Sequence, residues 1–201
     1  MLYSNNKENI IIITYLITTK KLLKGEYIMN VESYDALTVA RYIINQCNKT
    51  QIDVSNLKLQ KLLYYVQATF LVINKKECFK EQIEAWDFGP VVPIVYNEFK
   101  KYGSNNIPRI ETYIDLDFDS PTFFKKINYD ENIINENDKN YINQVIEHFG
   151  KFSAFELVEK THNEDPWKNT YTSKLKHIII ENKDIAKYFE QKISLVDNNQ
   201  L

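Results

Sequence analysis

A mainly α fold, a compact domain of about six helices with a small β element, is predicted by three features of the sequence. Apolar residues recur at three- and four-residue spacing over most of the chain from Asp35 onward. Good capping residues, among them Ser55, Ser153 and Asn182, stand just ahead of those runs. Period-two alternation is confined to brief stretches, the clearest being Gln82 to Phe88.

The first helix is expected from about Asp35 to Cys47, with Leu37, Ala40, Ile44 and Cys47 on one face and Ser33 or Asp35 as cap. The second begins near Ser55 or Asn56 and runs to about Ile73. Its stripe of Leu59, Leu62, Leu63, Val66, Phe70 and Ile73 is widened by Leu57, Tyr64, Ala68 and Leu71, so this helix should be central and mostly buried. A short strand follows over Gln82–Phe88, ended by Gly89-Pro90. Pro90 or Pro93 then opens a helix with Val92, Val95, Tyr96 and Phe99 inward, and Gly103 sits where a left-handed C-terminal cap belongs.

From Ser104 to Asn140 the pattern weakens into an acidic, irregular connection with one short strand around Tyr113–Phe118. Glu111, Asp115, Asp117, Asp119, Asp130, Glu131, Glu136 and Asp138 outnumber Lys125, Lys126 and Lys139 there, and such a run is ordinarily a solvated loop. Periodicity returns at Ile142, Val145, Ile146 and Phe149, closed by Gly150. Ser153 and Glu156 have capping-box spacing, Asp165-Pro166 opens a further helix with Asp165 as its cap, Ile178–Ile180 reads as a brief strand, and Asn182 caps a last helix from Lys183 to about Ile193.

A net charge of -2 argues against a strongly basic nucleic-acid binder. Two cysteines, Cys47 and Cys78, are too few and too far apart for a redox pair or a zinc knuckle, and a reducing cytoplasm is the simple expectation. The apolar run Asn9–Ile17 is shorter than the ~20 residues a bilayer requires and lacks a cleavage site, so neither a membrane anchor nor a signal peptide is expected. Residues 1–28 read instead as an extension outside the native product. Lys24-Gly25-Glu26 can be spelled by codons containing a ribosome-binding sequence, which would make Met29 the start and 29–201 a single domain.

Chemistry is poorly provided for. The three histidines, His148, His162 and His177, have no metal-ligand spacing, and four glycines form no phosphate-binding loop. No metal and no cofactor are expected. His162 with Glu164 and Asp165 is the one cluster that suits a general base or a metal ligand, although a helix C-terminus and the start of the next account for it more simply. Lys58 and Lys61, with Gln60, Gln67, Tyr64 and Tyr65, form a candidate basic face for nucleic acid, for which a solvated helix face is the plainer reading. Trp86, Gly89, Pro90, Tyr96 and Trp167 suit either a core corner or a recognition surface, since Trp and Tyr serve both.

Four separated motifs occur together: Asn56-Leu-Lys-Leu-Gln-Lys-Leu-Leu-Tyr64 with Gln67-Ala68; Glu84-Ala-Trp86 with Gly89-Pro-Val-Val-Pro93 and Tyr96; Tyr102-Gly103; and Ser153-Ala-Phe-Glu-Leu157 with Thr161-His162 and Pro166-Trp167, before Tyr188-Phe189. In this order they resemble the SocA/GepA-like antitoxin domain, also called Panacea, over roughly Asp35 to Phe189. The resemblance implies a bacterial antitoxin, often phage-associated, encoded beside a protein toxin that it neutralises by direct contact. In the SocA case it also implies an adaptor that hands the toxin to the ClpXP protease. The chain departs from the family in its N-terminal extension and its acidic middle. On this basis the protein is expected to be no enzyme, and Trp86, Tyr96, Asp115, Asp117 and Asp119 are the candidate partner-binding residues. The rival readings are a phage-associated hydrolase using His162, Glu164 and Asp165, and a DNA-binding autorepressor.

Overall fold

The computed structural model describes residues 33–116 and 122–197; the N-terminal extension with its apolar run, Met29, Asp117, Phe118 and Asp119 lie outside the described residues. Within them the chain forms helices α1 (Ala36–Lys49), α2 (Asn56–Ile73), α3 (Pro93–Phe99), α4 (Glu136–Phe149), α5 (Ala154–His162), α6 (Asp165–Lys168) and α7 (Asn182–Asp197). Strands β1 (Ile83–Trp86), β2 (Gly89–Val91) and β5 (Ile178–Ile180) make an antiparallel sheet in the order β2-β1-β5. Strands β3 (Thr112–Leu116) and β4 (Phe124–Asn128) pair separately. The fold is mainly α with a minor β component, as the periodicity predicts.

Helix α2 is the axis of the core, with α1, α4, α5, α7 and β2 packed around it. It starts where Ser55 Oγ accepts the backbone N–H of Lys58, and sixteen of its residues are buried. Tyr65 stacks on Phe149 of α4 at 3.7 Å between ring centroids and meets Phe189 of α7 edge-on. A helix buried on every side has no solvated face. The expected basic face is therefore overturned, both as a nucleic-acid surface and as a solvated one: Lys58 and Lys61 are buried.

The polar side chains of α2 bond the backbone of the segments that surround it. Lys58 Nζ donates to the Gly150 carbonyl at 2.7 Å and Lys61 Nζ to that of Pro90 at 3.0 Å. Gln60 Oε1 accepts the Val92 N–H at 2.9 Å, while Gln67 Oε1 accepts those of Cys78 and Phe79. A loop crossing a core must have its backbone groups paired, and these four side chains supply the partners.

Some local signals elsewhere are obeyed and others are shifted by a residue, as at Asn182, which is the first residue of α7 rather than its cap. The Ser153–Glu156 capping box is complete, Asn135 caps α4, and Pro93, rather than Pro90, occupies the first turn of α3. Gly89-Pro90 does not end the β element; it forms β2, paired back on β1 through the two-residue turn Asp87-Phe88. After α3 the chain tightens into a 3-10 turn over Lys100–Tyr102, and Gly103 leaves it with φ +57 but ψ -123, so it is a positive-φ stop outside the left-handed helical region. Asp165 is the first residue of α6, the capping position falling to Glu164.

The middle of the chain is more ordered than its composition suggests. A five-residue pairing joins β3 to β4, and α4 begins at Glu136, ahead of its apolar stripe, because Asn135 caps it. Several acids there have structural partners. Asp138 is buried and accepts from Tyr34 Oη at 2.8 Å, Asp130 caps the 3-10 turn at Glu131–Ile133, Glu136 pairs with Lys139, and Asp115 stands opposite Lys125.

Candidate functional site

The β1–β2 turn and the segment around it form a cleft of about 520 Å³ on one side of the fold. Trp86 and Tyr96 line it together, their rings 4.9 Å apart in an edge-to-face arrangement that aromatic quadrupoles favour. Asn56 and Gln60 from α2, Tyr171 from the loop after α6, and Lys176 and His177 just before β5 contribute to the wall. The volume lies within the range of ordinary ligand and anchor-residue pockets.

Each wall residue has a reason for its place. The Trp86 indole N–H donates to Glu84 Oε2 at 2.7 Å, and His177 Nδ1 lies 2.8 Å from the same oxygen. His177 reaches it because β5 pairs with β1, with Glu84 opposite Ile179, and it crosses Trp86 edge-on at 6.0 Å. The turn is held from behind, where the Trp167 indole donates to the Trp86 carbonyl at 3.0 Å, and from the side, where Tyr171 Oη donates to Asp87 Oδ1. His162, Trp167 and Tyr171 stack in succession, at 3.8 and 4.6 Å, as a ladder supporting the turn. Asn56 Nδ2 donates to the Tyr96 carbonyl and fixes α3 against α2.

Gly89 sits at the tightest point. Its φ is +98, and a Cβ there would come within 2.8 Å of Thr161 Oγ1 and 2.9 Å of Lys61 Nζ. No side chain fits between the turn and the core behind it. Lys61 is fully buried there, and desolvation lowers its pKa to about 7.

His162, Glu164 and Asp165 do not converge on a reacting position. Glu164 points into the core, accepts from Tyr65 Oη at 3.0 Å, and is pushed up by burial to about 7. His162 is stacked flat on Trp167, and burial with the nearby Lys61 lowers its pKa. Asp165 lines a different, polar depression of about 320 Å³ beside α7. Among the described residues no group of three or more His, Cys, Asp or Glu is arranged to hold a metal ion, and Cys47 and Cys78 are buried free thiols.

Of the candidate partner-binding residues, Trp86 and Tyr96 meet in the cleft. Asp115 lies exposed on β3, in the other sheet and outside the cleft wall, and Asp117 and Asp119 fall outside the described residues. Sequence reading passed over His177, Tyr171, Lys100 and Lys176 as site residues. No spacing rule links them to Trp86: the pairing of β5 with β1 brings Lys176 and His177, the stacking on Trp167 brings Tyr171, and the turn after α3 brings Lys100.

No helix among the described residues is long and apolar enough to cross a membrane. No solved structure matches the chain. A family described as Antitoxin SocA-like, Panacea domain, matches residues 59–168, which take in most of α2, the cleft-bearing turn, both hairpins and α4 to α6. Antitoxin SocA of Caulobacter vibrioides (strain NA1000 / CB15N) is 34% identical over 137 residues, covering 68% of this chain and 70% of that protein. The chain belongs to the SocA-like antitoxin family that carries the Panacea domain.

Proposed function

We propose that this protein is the antitoxin of a toxin–antitoxin pair and that it neutralises its toxin by direct protein contact, without catalysis. The observation that carries this reading, beside family membership, is the character of the cleft. Its walls are aromatic and rigidly held, whereas the one acid–base cluster in the sequence is dispersed among core and surface positions. Aromatic side chains in a preformed concavity are the groups that most often carry binding energy at protein interfaces. Masking a toxin needs a total buried area of about 1,200–2,000 Å², of which the cleft would be the centre.

Trp86 and Tyr96 are assigned to the centre of this contact, and Asp115, Asp117 and Asp119 to an acidic margin that steers a basic toxin toward it. In this reading residues 29–201 act as one antitoxin domain, and the bound toxin is also passed to a ClpXP-type protease in the cytoplasm. The test is co-expression with the product of the adjacent gene. Rescue of growth and co-purification of the two proteins are expected, while rescue without any physical association would exclude neutralisation by contact. A toxin lifetime unaffected by deletion of the protease would remove the adaptor step alone.

A further inference from the structure

The cleft has a chemical polarity that specifies its occupant more narrowly than toxin contact alone. Its floor is apolar, formed by Ala85, Val91, Trp86 and Tyr96, and the exposed Phe88 and Leu175 stand at its rim. Two cations line it, Lys100 from the turn after α3 and Lys176 from the segment before β5, approaching from parts of the chain far apart in sequence. Among the described residues neither lysine belongs to an ion pair; Lys100 donates to Asn97 Oδ1 of α3. Two carboxylates lie nearby and are hydrogen-bonded, Glu84 to the Trp86 indole N–H and His177, and Asp87 to the Tyr171 hydroxyl; of the two only Asp87 lines the cleft, whose wall thus carries two lysines against one carboxylate. Lys101 and Lys174 extend the same sign outward along the sequence. A chain with a net charge of -2 thus gathers lysines around its aromatic concavity.

From this complementarity we infer that the cleft docks a short segment of the partner toxin in which one aromatic side chain is flanked by carboxylates. The ring packs onto the joined Trp86–Tyr96 pair from the cleft side, where aromatic contacts add to the apolar burial. The flanking acids meet Lys100 and Lys176 at the solvent boundary, where charge pairs govern register and association rate more than raw affinity. The inference rests on the antitoxin reading for the source of the segment, although the cleft's chemistry can be probed without the toxin.

The experiment has two arms. In the first, fluorescein-labelled peptides with one central Phe between Asp residues are titrated against the full chain, beside the same peptides with Lys for Asp or Ser for Phe. In the second, affinity for the toxin from the adjacent gene is measured for the wild type, for Lys100→Glu with Lys176→Glu, and for Tyr96→Ser. Tighter binding of the Asp-flanked Phe peptide than of either control is expected. The double charge reversal should weaken that peptide and the toxin by about tenfold or more, with an unchanged thermal midpoint because both lysines are exposed. Equal binding of the acidic and basic peptides, or full toxin affinity in the double charge reversal, would overturn the inference. If the acidic peptide binds selectively but the neighbouring gene product is neither bound nor neutralised, the cleft chemistry stands and the antitoxin reading fails instead.

Discussion

Lys61 Nζ, fully buried in the middle of α2, donates to the carbonyl oxygen of Pro90 at 3.0 Å and so ties the strand pair that carries Trp86 to the central helix. An amine at this depth is unusual because desolvation disfavours its charge, and its pKa falls to about 7. Its long apolar stem fills core volume while its end satisfies a backbone oxygen that water cannot reach.

Replacement of Lys61 separates these roles. Lys61→Ala should cost about 2–4 kcal/mol by opening a cavity and orphaning the Pro90 carbonyl, whereas Lys61→Met, which keeps the volume and loses only the donor, should cost about 1–2 kcal/mol. The folded amine is depressed to about 7 from roughly 10.4 in the unfolded chain, so the unfolded state binds more protons between those values. Wild-type stability should therefore rise with pH from about 7 to 10, and this rise should be much smaller in Lys61→Met, where only the amine of Lys58, also lowered by burial, still contributes in that sense. Urea melts across that interval measure both effects.

Glu164 has the opposite sign. Burial raises its folded pKa to about 7 from roughly 4.3 unfolded, so its contribution is fully present below about pH 4.3 and lost as pH rises through 7. Glu164→Gln keeps an acceptor for Tyr65 Oη and removes the ionisation. It should leave stability near pH 4 almost unchanged and raise it at pH 8 by about 2 kcal/mol. Chemical denaturation at the two pH values decides this, and a loss of stability at pH 8 would contradict the account of Glu164 as a buried, reluctantly charged group.

Gly89→Ala should destabilise the protein by about 2–4 kcal/mol. A left-handed backbone and a Cβ clash against Thr161 and Lys61 act together, and neither neighbour is the free end of an exposed side chain. The damage should centre on the turn, so Trp86 emission in a Trp167→Phe background should shift, and partner binding should weaken beyond the loss of global stability.

Phe88 provides the contrasting case. Its side chain is 58% exposed at the tip of the turn and takes no part in the core. Phe88→Ser should change unfolding free energy by less than about 0.5 kcal/mol. If the cleft is the contact centre and Phe88 is covered by the partner, the same change should lower toxin affinity by about tenfold through the apolar area it no longer buries. Isothermal titration paired with a thermal melt distinguishes the two outcomes.

Local signals were legible wherever the chemistry is local. Ser55 and Ser153 with Glu156 stand where helices begin, because a side chain that satisfies a free amide works within one turn of itself, and Pro93 occupies a first turn whose free amide it lacks. Trp86 and Tyr96 were legible as aromatics at a strand-to-helix corner. Their neighbours in the cleft were not, since Glu84 and His177 are 93 residues apart and meet only through the β1–β5 register. The β4 strand was missed because its residues are largely exposed and lack the alternation that burial of one face imposes.

By itself the sequence determined the mainly α class, the order of the helices and, through motifs spread from Asn56 to Trp167, the family. Tertiary structure alone decided the fate of Lys58 and Lys61, which look like a solvated basic face and are instead core residues bonded to Gly150 and Pro90. The physical reason is that periodicity reports which residues share a side of a helix, but α2 is enclosed on all sides by other parts of the chain, most of them distant in sequence. A lysine in that position is read correctly only when the carbonyl oxygen it must satisfy, contributed by a distant loop, is in view.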